Sequence, residues 1–159
     1  MVDALIVELN MRKAYTQNDG TLRTLYLGGG TPSLLEEAQV SRLFSAIFQH
    51  FSLEEGAEVT LEANPEDITA EKVAHWASLG INRLSIGIQS FSQDDLSWMN
   101  RAHSLEEAAR CVELARKGGI PAASVDLIFG LPGMDLEAWE NNLLKALALS
   151  PDHFSLYAL

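Results

Sequence analysis

Five short segments place glycines or polar side chains where apolar runs stop, and these carry whatever chemistry the chain has. The first is Gly28–Gly29–Gly30–Thr31–Pro32, after the run Leu22–Leu27. Without side chains its amides and carbonyls can approach a ligand closely, although an ordinary strand-to-helix turn satisfies the same residues. In Glu62–Ala63–Asn64–Pro65 an acid ends a second run and a proline turns the chain away. For that segment alone an exposed strand-end glutamate is the plainer account. Ser85–Ile86–Gly87–Ile88–Gln89–Ser90–Phe91 sets an amide behind a glycine. A glutamine both donates to and accepts from a ribose or a carboxylate, and a loop cap uses the same capacity. Asn100–Arg101–Ala102–His103 offers a guanidinium that could clamp a carboxylate; the alternative is a solvated helix start with a surface histidine. Asp126, inside Val125–Asp126–Leu127–Ile128–Phe129–Gly130, must meet polar partners or carry a large desolvation cost, which favours function.

Strand-like and helical patterns alternate along the chain, which predicts β/α units around a parallel sheet. Predicted strands cover Leu22–Leu27, Glu58–Glu62, Arg83–Ile88, Ala122–Phe129 and His153–Tyr157. Between them, Val40, Leu43, Phe44, Ile47, Phe48 and Phe51 form one apolar helical stripe. A helix from about Thr69 to Leu79 stops at Gly80. Ser104 and Glu107 have capping-box spacing for a helix running to about Lys117, ended by Gly118–Gly119. Asp135 caps a further helix whose Leu136, Trp139, Leu143 and Leu147 share a face. An opening helix from about Asp3 to Tyr15 starts the chain in mid-unit. In parallel α/β architectures the ligand site forms at the carboxyl ends of the strands, where all five segments fall.

The chain has 159 residues, 47% of them hydrophobic, enough for one core. A formal charge of −11, from 22 acidic against 11 basic residues, disfavours nucleic acid and anionic membrane surfaces as partners. No apolar run reaches the roughly 18 residues of a spanning helix and no secretory pattern opens the chain, so a cytoplasmic protein is expected. Cys111, the lone cysteine, lies among Ala108, Ala109, Val112 and Ala115 and reads as core packing.

Taken together, YLGGGTPSLL, LEANPED, NRLSIGIQSF, MNRAHS and VDLIFGLPG resemble, in order and spacing, successive motifs of the radical S-adenosylmethionine (SAM) superfamily. The similarity is to its oxygen-independent (anaerobic) coproporphyrinogen III oxidase-like family and extends over essentially the whole chain. Ser90 after Gln89, and Ala63–Asn64 after Glu62, resemble the HemW haem-chaperone branch more than the decarboxylating oxidases. The resemblance implies an α/β fold, a partial (β/α)6 TIM-like barrel. It implies that Gly29, Gly30 and Thr31 hold the amino group and methionine part of SAM, and that Glu62 and Gln89 bind its ribose and methionyl portions. Arg101 would take the methionine carboxylate and Asp126 a ribose hydroxyl, with Ile128 and Ala158 against adenine. Family chemistry is reductive cleavage of SAM by a [4Fe–4S] cluster to a 5′-deoxyadenosyl radical. In the oxidase that radical abstracts hydrogen from propionate side chains; in the HemW branch the role is haem binding and transfer.

One departure is plain. The family's Cys-x-x-x-Cys-x-x-Cys loop, which anchors the cluster through three thiolates, is not in this sequence. The match implies a single core domain over residues 1–159, truncated at both ends. The first strand, the cluster loop and the C-terminal substrate or haem domain are expected to lie outside it. No catalytic residue and no metal ligand is therefore assigned within the chain, which as given is expected to be inactive. SAM is the expected cofactor, with the cluster and haem or a tetrapyrrole belonging to the full-length protein. His103 is the histidine best placed for a site, an imidazole capping a loop being the plainer account, while His50, His75 and His153 read as surface or structural. The open readings are a haem chaperone, a true coproporphyrinogen oxidase, a nonfunctional fragment of either, and an unrelated (β/α) barrel with convergent glycine-rich strand ends.

Overall fold

The computed structural model describes residues 1–15 and 20–159. Its elements run α1 Val2–Arg12, β1 Thr21–Leu27, α2 Glu37–Phe48, β2 Ser52–Ala63, α3 Ala70–Ser78, β3 Arg83–Gln89, α4 Gln93–Trp98, α5 Leu105–Lys117, β4 Ala122–Phe129, α6 Leu136–Ala148 and β5 His153–Ala158. Short 3-10 turns, Pro32–Leu34 and Pro65–Asp67, open with prolines that need no amide partner. The strands pair in parallel in the order β1–β2–β3–β4–β5 and curl into a half-barrel.

Period-two alternation divides the sheet into two chemically distinct faces. Leu27 pairs with Leu61, Leu61 with Leu84 and Leu84 with Ala123. This rank is buried with Val40 and Phe44 of α2, Val73 and Trp76 of α3, and Ala108, Cys111, Val112 and Ala115 of α5. Each such aliphatic side chain stabilises the fold by about 1.5–3 kcal/mol on burial. Truncating Trp76, 1% exposed, to alanine would cost about 3–5 kcal/mol. The alternate rank is polar: Glu62 pairs with Ser85, Ser85 with Ser124, and Asp126 with Ser155. It lines the inside of the curl and largely satisfies itself. Arg83 donates to Thr60 Oγ1 at 3.2 Å and lies 3.5 Å from Glu58, while Ser124 Oγ is 3.1 Å from His153 Nδ1.

Helix ends follow local chemistry. The Ser104–Glu107 capping box forms as predicted, and Gly80 takes the left-handed conformation (φ +90°) that ends α3. A second capping box, Glu36 with Gln39, opens α2. Three expectations are corrected. Strand β2 begins at Ser52 rather than Glu58: Leu22 pairs with Leu53 but Thr24 with Glu58, so extra β2 residues bulge out around Gly56 (φ +75°). On α6 the inward residues are Trp139, Asn142, Leu143 and Ala146, while Leu136 and Leu147 are exposed. Asn142 of that helix accepts from Ser90 Oγ and the Phe91 amide, and Trp139 packs against Phe129. The third correction is α4, a six-residue helix started by Ser92 accepting from the Asp95 amide, which the apolar pattern does not announce.

Candidate functional site

Four of the five segments singled out in the sequence lie at or near the carboxyl edge of a strand, and the fifth, Asn100–His103, lies in the loop between α4 and α5. After β1, Gly29 and Gly30 take φ +83° and +67°, which strands and helices cannot continue. This turn brings the Gly29 amide to Glu62 Oε2 at 2.8 Å, while the Tyr26 hydroxyl donates to Oε1 at 2.8 Å. Gly28 explains the closeness: a β-carbon there would sit 2.7 Å from Glu62 Oε1 and 2.5 Å from Tyr26 Cε1. Burial first, then the Glu62 carboxylate, raises the Tyr26 phenol above its ordinary value, so it remains a donor. Thr31 precedes the first 3-10 turn, half-buried at the loop's end.

Strand β3 carries its own distortion. Ile86 pairs with Val125 but Gln89 with Leu127, so one extra β3 residue is accommodated and Gln89 is left at φ +70°. A bulge of this kind re-aims a side chain at a strand tip. Gln89 Nε2 occupies the space 2.8 Å from where a β-carbon of Gly87 would stand, with Arg101 Nη2 3.2 Å from the same point. That Arg101 nitrogen donates to Asn64 Oδ1 at 2.8 Å and to the Gly87 carbonyl at 3.0 Å. Arg101 lies in the loop between α4 and α5, so this contact ties β2, β3 and the loop together.

On β4, Asp126 accepts from Ser85 Oγ at 3.2 Å and 3.3 Å. Burial raises its carboxyl above the ordinary range, hydrogen bonds from Ser155 and Ser85 oppose the rise, and the negative charge of Glu62 adds to it. Tyr26, Glu62, Ser85 and Asp126 therefore form one electrostatically linked group across β1 to β4. Ile128 is half-buried and pairs with Tyr157. Ala158 pairs with Phe129 and is exposed, so alternation sets Tyr157, not Ala158, beside Ile128 on the inner face. His103 is not a surface residue: its side chain is wholly buried, with Nε2 3.0 Å from the Ile88 carbonyl.

Sequence reasoning missed Tyr26, Asn64 and Ser85 as members of this constellation. A signal existed for two of them, since Tyr26 and Ser85 stand two residues before Gly28 and Gly87 on strands whose polar face is the inner one. Another missed feature is a buried tie between the first two loops. Ser33 Oγ donates to Asp67 Oδ2 at 2.7 Å, and Lys72 Nζ reaches the Ser33 carbonyl at 2.9 Å and Asp67 Oδ1 at 3.3 Å. A 560 Å³ groove adjoins the glycine loop, but its walls are mostly apolar side chains of α1, α2 and β1 with Glu8 and Arg12 among them, and Glu62, Gln89 and Asp126 do not line it.

An iron–sulfur cluster does not fit the described residues. Cys111, the chain's one cysteine, faces the core from α5, where burial pushes its thiol up to about 12. Among the described residues no three histidine, cysteine, aspartate or glutamate side chains stand close enough to share a metal ion. No helix among the described residues is long and apolar enough to cross a membrane.

The fold and these strand-end motifs have a counterpart in known proteins. The sequence profile of the radical SAM superfamily matches residues 4–146, and the chain belongs to that superfamily. Within it, the chain is similar to the haem chaperone HemW of Haemophilus influenzae, with 41% identity over 138 residues, 87% of this chain and 36% of that protein. HemW of Escherichia coli is 37% identical over 158 residues, 99% of this chain and 42% of that protein. The oxygen-independent coproporphyrinogen III oxidase of Paracoccus denitrificans is 36% identical over 154 residues, 97% of this chain and 34% of that protein. Among solved structures, coproporphyrinogen III oxidase (HemN) from Escherichia coli, described as a radical SAM enzyme, superposes with a TM-score of 0.89 at 32% identity, over 99% of this chain and 36% of that one. The chain thus spans well under half the length of these relatives.

Proposed function

We propose that this chain is the SAM-binding barrel of a HemW-like haem chaperone, with SAM held across the carboxyl ends of β1 to β4. The observation that carries the reading is the grouping of Glu62, Gln89, Arg101 and Asp126 at one rim of the inner face, beside a glycine turn with open backbone. SAM presents an ammonium, a carboxylate, a sulfonium and a ribose diol, and the rim offers an opposite or complementary group to each. Arg101 commits one nitrogen to Asn64 and Gly87, leaving the rest of its fork for the ligand carboxylate. Gly29, Gly30 and Thr31 receive the ammonium and methionine portion through carbonyls and a hydroxyl. Glu62 and Gln89 bind the ribose and methionyl portions, Asp126 accepts from a ribose hydroxyl, and Ile128, with Tyr157 rather than Ala158 beside it on the inner face, gives adenine an apolar seat. Bound SAM supplies a sulfonium centre open to one-electron reductive cleavage; the residues of this chain bind and orient it.

The chaperone reading over the oxidase is supported by the HemW relatives at 41% and 37% identity and by Ala63–Asn64 and Ser90 beside the site residues. Isothermal titration of SAM into the folded chain should give saturable one-to-one binding that Gly29→Val with Asp126→Ala abolishes. Unaltered binding by that double variant would overturn the site. For the intact protein, a Soret band on haem addition without decarboxylated product is expected, and conversion of coproporphyrinogen III would establish the oxidase instead.

A further inference from the structure

His103 sits in the loop between α4 and α5 with its side chain fully buried. Its Nε2 is 3.0 Å from the Ile88 carbonyl, and because a carbonyl only accepts, Nε2 carries a hydrogen. The other ring nitrogen, Nδ1, stands 3.5 Å from Glu66 Oε2, and both atoms are buried with no hydrogen-bond partner. An imidazole lone pair facing a carboxylate oxygen out of water is two acceptors without a donor, an arrangement native interiors avoid. A single proton between them removes the conflict on whichever atom it rests and leaves the pair neutral.

The other charged groups facing the imidazole do not take that part. Arg101, from the same loop, is engaged by Asn64 and Gly87, and Glu107, from the first turn of α5, accepts from the Ser104 amide and hydroxyl. Burial, the largest influence, holds the imidazole below its ordinary value, with Glu66 opposing, so a lone imidazolium is not the favoured buried state. What the pair grips is specific. Arg101 takes the Gly87 carbonyl and His103 takes the next one, Ile88, so two consecutive carbonyls of the β3 tip are held by one loop immediately before the left-handed Gln89.

We propose that His103 and Glu66 share one buried proton between Nδ1 and Oε2, and that this pair is a positioning device which fixes the β3 tip, and with it Gln89 and Arg101. Its effect on ligand rests on the SAM reading above; the shared proton does not. Removing the proton returns two facing acceptors and frees the tip. Glu66→Gln replaces the acid by an amide whose N–H serves Nδ1 at every pH.

The test is histidine-detected and backbone-amide NMR on the whole chain as pH is varied. His103 should show the Nε2–H tautomer, and the Gln89 and Arg101 amides should follow the same titration as its Nδ1. In Glu66→Gln that titration should vanish from all three. Gln89 amides indifferent to His103, or a Glu66→Gln titration unchanged from the wild type, would overturn the proposal. Should Glu66→Gln not fold, His103→Gln, which can still donate to Ile88, should likewise flatten the pH response at Gln89, and a surviving step would sink the idea. In parallel, SAM affinity should fall about tenfold as the His103 proton is lost in the wild type and stay flat in Glu66→Gln. If Gln89 follows the pair while the wild type binds no SAM at any pH, the pair stands and the SAM reading falls.

Discussion

Gly87→Ala separates the site from the scaffold. Gly87 is not among the residues with positive φ, so alanine meets no backbone strain there and the whole effect is steric. The new methyl would lie 2.8 Å from Gln89 Nε2, 3.2 Å from Arg101 Nη2 and 3.7 Å from Asn64 Oδ1. All three are ends of side chains, which can swing aside, so the fold should lose less than about 1 kcal/mol, roughly 2–4 °C in melting temperature. Swinging aside, however, removes Gln89 and Arg101 from the rim and breaks the Asn64–Arg101 contact. Losing one charged hydrogen bond to a ligand costs about 1.5–3 kcal/mol, which is a rise in Kd of roughly 10- to 150-fold. Titration calorimetry with SAM, alongside a thermal melt of the same sample, reads both numbers. Wild-type affinity in a variant that melts normally would refute the placement of Gln89 and Arg101 in the site, and a collapse in melting temperature would refute the claim that these side chains yield.

Gly118→Ala makes the opposite case. Its β-carbon would stand 2.9 Å from Val73 Cβ in the core, so it should destabilise by about 1–3 kcal/mol in a denaturant melt while leaving SAM affinity per folded molecule unchanged. Asp126→Asn should raise stability at pH 7. The carboxyl is raised in the folded state, so its contribution is greatest below the ordinary value of 3.8 and is lost as pH climbs through the raised one. Melts of the two proteins should therefore converge in acid and diverge towards neutrality, and an equal gap at pH 3 and pH 7 would contradict this. Cys111, with its thiol pushed up to about 12, should resist alkylation at pH 8 until denaturant is added, and rapid native labelling would show that α5 opens.

Much of this architecture is legible in the residues because local signals and tertiary demand agree. Val40, Phe44 and Ile47 repeat at helical spacing, and Ser104 with Glu107 writes a cap that needs no distant partner. Leu136 and Leu147 mislead for the converse reason: a helix with a neighbour on one flank buries a narrower face than its apolar residues span. Glu62 and Gln89 sit at the strand ends where β/α connectivity requires them. What stays hidden is the pairing among them. Glu62 with Tyr26, Arg101 with Asn64 and Ser33 with Asp67 join residues more than thirty positions apart, and sequence spacing carries no record of such contacts. His103 reads equally as a surface residue or a loop cap because its burial depends on Glu66, from the Pro65–Asp67 turn, and Ile88, from β3.

The strand order has a consequence for how the chain comes to be folded at all. Each strand after the first lies beside the one made just before it, with no strand waiting on a distant later partner. A nascent chain leaving the ribosome can therefore extend its sheet one unit at a time, each new strand and helix docking on a surface already assembled. Arrested nascent chains ending after β3 should already protect β1 and β2 amides from exchange; protection arriving only with β5 would mean that the sheet forms all at once.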